Sequence, residues 1–325
     1  MLPPDEQFQQ VQHIVVPANN AGQRIDNFLM GLLKTVPRSL VYRLLRTGQV
    51  RVNKGRIKPG FKLSAGDDVR IPPVTVSTET QLHLPADLLK TIEATVIFED
   101  DQWIVINKPQ GLAVHGGTGV KFGVIDLIQR VYDDTSISLV HRLDRETSGC
   151  LVLAKSRPAS IHFQQALRAG QVEKRYRAWL KGCFEDSVVV DAPLLKNQPE
   201  AGERMVVVDR SHGKDALSRF TPVQAGRRCS LVDVTIETGR THQIRVHSAH
   251  IGHPVVGDPR YGDRALNREV QKIVAGRMYL HAAEIAFPSA VSGDDTLRFQ
   301  ADAETPWSQL GESISVASGQ PQNPR

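Results

Sequence analysis

Apolar residues recur at helical spacing early in the chain. In RIDNFLMGLLK, Ile25, Phe28, Leu29, Leu32 and Leu33 fall at i, i+3, i+4, i+7 and i+8, the stripe of an amphipathic helix that Pro37 breaks. Ser39 is placed to cap a second helix, LVYRLLRTG, with Val41, Leu44 and Leu45 inward and Gly48 as its stop. VRVNKGRIKPGFKLSAGDDVRI then alternates apolar and polar residues around Asn and Gly turn signals, which predicts short strands. Residues 1–19 precede this pattern and read as a leader, disordered to about residue 12. Residues 20–75 form the small unit, and the aperiodic, Pro/Ser/Thr-rich stretch 76–91 reads as a linker. From 92 to 311 the apolar runs ATVIFEDD, WIVINKP, CLVLAKS, KRYRAWLKG, CSLVDVTIETG and LHAAEIAF predict strands. FGVIDLIQRVY, SIHFQQALRAG and THQIRVHSAHIG predict helices, the last capped by Thr241. Strands seldom alternate with single helices here, so the pattern predicts an α+β fold with a mixed, mainly antiparallel sheet. Residues 312–325 are polar and read as a disordered tail.

The chain has 325 residues, of which 40% are hydrophobic and 23% charged, enough for two cores. Its net charge is +5, unevenly placed. Between Gly22 and Thr75 eleven Lys/Arg face three acids, so the remainder is net acidic. A basic segment of this kind is the footprint of a module that binds a polyanion. Arg43, Arg46, Arg51, Lys54, Arg56 and Lys58 lie on or beside one region of it. The three cysteines, Cys150, Cys183 and Cys229, are far apart, which fits a reducing cytoplasm rather than a disulfide framework. No apolar run reads as a signal core or a membrane span.

HRLDRETSG, residues 141–149, sets Asp144 between two arginines at the mouth of the apolar run CLVLAK. Desolvation there would raise a carboxylate's pKa, and a neighbouring cation would offset it. Asp144 therefore reads either as a reacting carboxylate or as half of a structural ion pair. Arg142, two positions earlier on an extended loop, shares its side. Ser148 near His141 lacks a nucleophile elbow, which disfavours a hydrolase. His242, His247, His250 and His253 have no carboxylate or cysteine cluster to complete a metal shell, so no metal is expected. VHGGTG, from His115 to Gly119, is neither a P-loop nor a dinucleotide fingerprint.

Several of these stretches carry a resemblance. Residues 21–71 resemble an S4 RNA-binding domain. INKPQGLAVHGG, LVHRLDRETSGCLVLAKS, VEKRYRAWLKG, GRTHQIRVHSAHIGHPVVGDPRYG and LHAAEIAF, in that order, resemble the RluA-type pseudouridine synthases, above all the RluC-like enzymes with an N-terminal S4 domain. The resemblance implies isomerisation of uridine in RNA, on a base flipped out of its stack. It makes Asp144 the reacting carboxylate, by attack at C1′ or deprotonation at C2′. It makes Arg142 the residue near the target phosphate, Tyr176 the ring that stacks on the base and a proposed general base, and Arg245 the partner of Asp144. Leu280 would line the uracil pocket. An isomerisation needs no redox cofactor, nucleotide or metal.

The implied substrate is 23S ribosomal RNA, free or in pre-ribosomal particles, and nothing in the sequence demands more than a monomer. A synthase for transfer RNA or another RNA, and a non-catalytic RNA-binding assembly factor, are the competing readings. Asp144, Tyr176 and Arg245 occurring together favour the enzyme.

Overall fold

The expected apolar stripe forms helix α1 (Ile25–Leu32), and the second amphipathic segment forms α2 (Arg38–Arg46). The protein is described here from a computed structural model, over residues 10–33, 36, 38–74, 84–116, 120, 122–197, 205–274, 276–290, 295–304 and 307–311. It divides into two units, Met1–His83 and Leu84–Arg325. In the first, α1 and α2 pack with an antiparallel sheet of β1 (Gln12–Val15), β2 (Arg51–Val52), β3 (Gly55–Arg56) and β4 (Asp68–Ile71), in the order β1-β4-β2-β3. Ile25, Leu29, Val41, Leu45, Val69 and Ile71 form the centre of its core. Asp26 is buried between the helices. It accepts two hydrogen bonds from Arg24 and one from the Tyr42 hydroxyl, at 2.7–3.1 Å.

Three expectations about this part of the chain change. The leader is ordered in part, because residues 12–15 pair with β4 as an edge strand. Four residues are too few for their alternation to stand out in the sequence. Ser39 lies inside the first turn of α2 rather than before it. The expected linker ends early, since residues 86–93 form α3 (Ala86–Glu93), which buries Ile92. Residues 1–9, the first half of the linker (76–83) and the tail from 312 lie outside the described residues.

The second unit continues with β5 (Val96–Glu99), β6 (Trp103–Lys108), α4 (Val124–Val131), β7 (Ser138–Leu139), β8 (Ser148–Ala154) and α5 (Arg157–Arg168). Next come β9 (Glu173–Lys181), β10 (Val188–Asp191), β11 (Leu194–Asn197), β12 (Met205–Val208), β13 (Leu217–Gln224) and β14 (Cys229–Ile236). Helices α6 (Gln243–His250) and α7 (Arg264–Val270) precede β15 (Leu280–Pro288) and β16 (Thr296–Gln300). The main sheet runs β10-β13-β14-β9-β15-β8-β6-β5, with β16 on β15 and β7 on β8. Strands β11 and β12 make a separate ribbon. The α+β class holds, and the strand pairs are antiparallel except β15 with β8.

That parallel pair joins the two halves of the sheet. β6 and β8 are buried on both faces, which explains their unbroken apolar runs. One face meets α3 and α4 through Ile104, Ile106, Leu151 and Leu153. The other meets Phe163 of α5 through Trp103 and Val152. Gly149 has φ +107°, and a Cβ there would lie 2.2 Å from the Ala282 carbonyl oxygen of β15. The glycine thus admits the neighbouring strand, beyond easing a turn into β8.

Candidate active site

The loop leading into β8 is fixed before its carboxylate is presented. The buried ammonium of Lys108, at the end of β6, donates to the carbonyls of Pro109, Leu112 and Arg145 at 2.7, 2.9 and 3.2 Å. Gly111 N donates to the same Arg145 carbonyl, and Arg145 Nε returns a bond to Gly111 O. Thr147 N donates to Asp144 O and closes the turn. Asp144 is left with its side chain 18% exposed, between core and solvent.

Arg245 of α6 faces it. Its Nη1 lies 3.3 Å from Asp144 Oδ2. Its Nε and Nη2 grip Asp258 in a bidentate pair at 2.7 and 2.9 Å, and its guanidinium lies 5.1 Å from the centre of the Tyr261 ring. Asp258 has no exposed side-chain surface and also accepts from the backbone N–H groups of Arg260 and Tyr261. Burial alone would raise the Asp258 pKa, but Arg245 and these amides outweigh it and hold the carboxyl below its usual range. Burial would likewise lower the pKa of Arg245, and Asp258 followed by Asp144 reverses that. The result is a fixed cation behind Asp144. Gly257 makes room for this strut, since a Cβ there would meet the Arg277 carbonyl oxygen at 1.7 Å.

His242 stands where the sequence suggested helix interior. It has φ +56°, the left-handed region, and Thr241 is not the cap. The turn is closed instead by Gln243, whose Oε1 accepts from Thr238 Oγ1 and Arg240 N. Tyr261 Oη accepts from Val206 N and lies 2.9 Å from His242 Nδ1. Burial lowers the His242 pKa, against the pull of Asp144. With the Tyr261 hydroxyl donating to Nδ1, the neutral ring carries its proton on Nε2, which lies 3.9 Å from Asp144 Oδ2. A strained backbone at this point is a feature of functional sites.

Arg142, Asp144, Tyr176, His242, Arg245 and Leu280 line one cleft of about 570 Å³. The sequence-derived residues of the larger unit therefore converge. Leu280 is buried at the start of β15, opposite Ala178 of β9. Tyr176 of β9 is nearly buried. Burial, then Asp144 and Cys150, push its phenol well above the usual range, so the hydroxyl stays protonated and the ring is suited to stacking. Arg142 is exposed and makes no hydrogen bond or ion pair with the described residues. Ser148 is bonded to His281, not His141, and is buried, which removes the hydrolase arrangement.

His242, His247 and His253 each bond a protein group, and no cluster of three or more metal-ligating side chains occurs among the described residues. Gly117 to Gly119 of the glycine-rich stretch lie outside those residues. Asp258 was not singled out in the sequence, and His242 was weighed there only as one of four histidines for a metal. The only signal at Asp258 was a lone carboxylate two residues before Arg260 and just after the apolar pair Val255-Val256.

In the first unit Arg43, Arg46, Arg51, Lys54, Arg56 and Lys58 are all exposed. Arg51 Nε donates to Gly48 O, and the Arg56 stem lies over Gly48 so closely that a Cβ there would meet its Nε at 2.6 Å. Both cations thus gather at the C-terminal end of α2, where the helix dipole favours them.

The family model for RNA pseudouridylate synthase matches residues 102–250, and the model for the S4 domain matches residues 23–69. The ribosomal large subunit pseudouridine synthase C of Yersinia pestis is 45% identical, over 90% of this chain and 92% of its own. The chain belongs to the RNA pseudouridylate synthase family. The Escherichia coli K12 protein of the same name matches this synthase at 45% identity over 87% of the chain and 91% of its own. Among solved structures, human RNA pseudouridylate synthase domain containing 4 shares the fold of the larger unit, with a TM-score of 0.57 and 23% identity over 70% of the synthase and 96% of the human chain. Human RNA pseudouridylate synthase domain containing 1 gives 0.55 and 22% over 71% and 96%.

Proposed function

We propose that the protein converts specific uridines of large-subunit (23S) ribosomal RNA to pseudouridine, with Asp144 as the reacting carboxylate. The observation that carries this reading is the asymmetry of Asp144. Its Oδ2 faces Arg245 and His242, while its Oδ1 accepts no hydrogen bond from the described residues and is turned to the substrate sugar. The relatives named for the large ribosomal subunit, at 45% identity over nearly the whole chain, support the substrate.

A uridine cannot reach Asp144 while stacked, so the nucleotide is extruded into the cleft. Its base lies on Tyr176 and against Leu280, and stacking of this kind contributes about 1–3 kcal/mol per base. Arg142 holds the adjoining phosphate. Asp144 acts at the sugar, by attack at C1′ or removal of the C2′ proton. The C1′–N1 bond breaks, the uracil turns, and C5 bonds to C1′. The C5 proton leaves and N1 is protonated, so the product is an isomer and no redox partner is consumed. Arg245, fixed by Asp258, sets a positive charge against Asp144 that does not have to reorganise during the reaction. The exposed cations of the smaller unit anchor RNA phosphates.

The protein acts as a monomer in the cytoplasm, on 23S RNA or its pre-ribosomal particles. No helix among the described residues is long and apolar enough to cross a membrane, and all three cysteines are free.

The test is pseudouridine mapping on protein-free 23S transcript with the wild type and with Asp144→Asn. Discrete pseudouridines from the wild type and none from a variant that still binds is the expected result. Modification of transfer RNA alone would overturn the substrate, and an active Asp144→Asn enzyme would overturn the role of Asp144.

A further inference from the structure

Among the described residues of the larger unit, six cationic side chains are buried or half-buried: Lys108, Lys155, Lys174, Arg177, Arg245 and Arg277. Five have partners. Lys108 donates to three carbonyls, and Lys155, Arg177, Arg245 and Arg277 pair with Glu99, Asp233, Asp258 and Glu304. Lys174 has neither a hydrogen bond nor an ion pair with any described residue. Burial is the one influence on its pKa, which it lowers, and no carboxylate compensates. A desolvated charge left unpaired is unfavourable, so such a residue usually waits for a ligand that completes it.

Its place identifies that ligand. Lys174 lies in β9 two residues before Tyr176, so both side chains leave the same face of the strand, about 7 Å apart along it. Both line the cleft that holds Asp144. Lys174 Nζ lies 3.6 Å from where a Cβ on Gly239 would stand, so the loop before α6 closes over the ammonium. Arg168, at the end of α5, lines the same cleft and also has no partner among the described residues. A base stacked on Tyr176 brings a flanking phosphodiester within a nucleotide's length of Lys174.

We propose that Lys174 is a phosphate-binding residue of the cleft, pairing with a phosphodiester next to the extruded uridine, with Arg168 at its rim. This rests on the RNA-modifying reading above. Lys174 takes no part in the bond changes; it completes its own charge on the RNA backbone and holds the nucleotide in register over Asp144.

The experiment measures RNA affinity against salt, and the single-turnover rate at saturating RNA. It compares wild type, Lys174→Gln and Lys174→Arg on a transcript fragment that the wild type modifies. A phosphate contact predicts that Lys174→Gln weakens binding several-fold and reduces the salt slope by about 1, while Lys174→Arg restores it. Replacing the 5′ or the 3′ phosphodiester of the target uridine by a methylphosphonate should abolish the difference between wild type and Lys174→Gln at one of the two positions. An unchanged salt slope, or a difference that persists with both methylphosphonates, overturns the proposal. A slower rate with an unchanged slope assigns Lys174 to the base instead and overturns it equally. If the wild type modifies no RNA, it is the parent reading that fails.

Discussion

Replacing Asp258 by Asn isolates the strut behind the reacting carboxylate. The substitution keeps an oxygen to accept from Arg260 N and Tyr261 N, but it removes the charge that Arg245 grips through two bonds at 2.7 and 2.9 Å. Asp258 is wholly buried and the Arg245 side chain is 5% exposed, so water cannot replace the lost partner. Removing one member of a buried pair costs about 3–5 kcal/mol, because the other charge stays desolvated. In a unit of this size that corresponds to a loss of roughly 6–20 °C in Tm. Arg245 then has a single carboxylate, Asp144, and is drawn toward it, so catalysis should fall along with stability. Urea denaturation gives the first quantity, and single-turnover pseudouridine formation at saturating RNA gives the second. Arg245→Met combined with Asp258→Asn leaves no orphaned charge and should regain much of the stability while remaining inactive. A loss below about 1 kcal/mol in Asp258→Asn, with a wild-type rate, would refute the reasoning.

Tyr261→Phe removes the hydroxyl that fixes the His242 tautomer. We expect up to about a tenfold slower single-turnover rate, about 1.4 kcal/mol, at unchanged RNA affinity, as kinetics and filter binding would show. Gly149→Ala should lose at least about 2 kcal/mol, since it combines a φ of +107° with a clash against β15; differential scanning calorimetry reads this. Burial, and then the charge of Lys174, hold the His141 pKa at about 3 against an ordinary 6.5. The folded ring therefore binds fewer protons than the unfolded one between those values. Its contribution is complete above pH 6.5 and is lost as pH falls toward 3, at up to about 1.4 kcal/mol per pH unit. His141→Gln should flatten the stability profile between pH 6 and 4.5 by that amount, whereas an unchanged slope would count against a buried neutral ring.

Asp144, Tyr176 and Leu280 were named through the resemblance, whose blocks HRLDRETSG, KRYRAWLKG and LHAAEIAF each adjoin or contain an apolar run, and the three line one cleft. The strut was not legible, because Asp258 meets Arg245 through a loop whose path no periodicity encodes. The left-handed turn at His242 was hidden inside a stretch that reads as continuous helix. β13 escaped notice because Pro222 and a bulge between Pro222 and Gln224 interrupt its alternation. Antiparallel order was visible in the density of strands and turns, but the parallel joining of β15 to β8 was not, since nothing local marks a pairing 133 residues apart.

That pairing also sets an order of events. β15 lies between β9 and β8 although it is nearly the last strand synthesised, so the two halves of the sheet stay separate until it arrives. Asp144 belongs to one half, and Tyr176, with the loop that leads to Arg245, belongs to the other. At ordinary elongation rates of about 5–20 residues per second, the 136 residues from Asp144 to Leu280 take roughly 7–27 s to make. A nascent chain in that interval carries its basic N-terminal unit but no assembled cleft. It can hold RNA before it can change it, and modification waits for the end of translation.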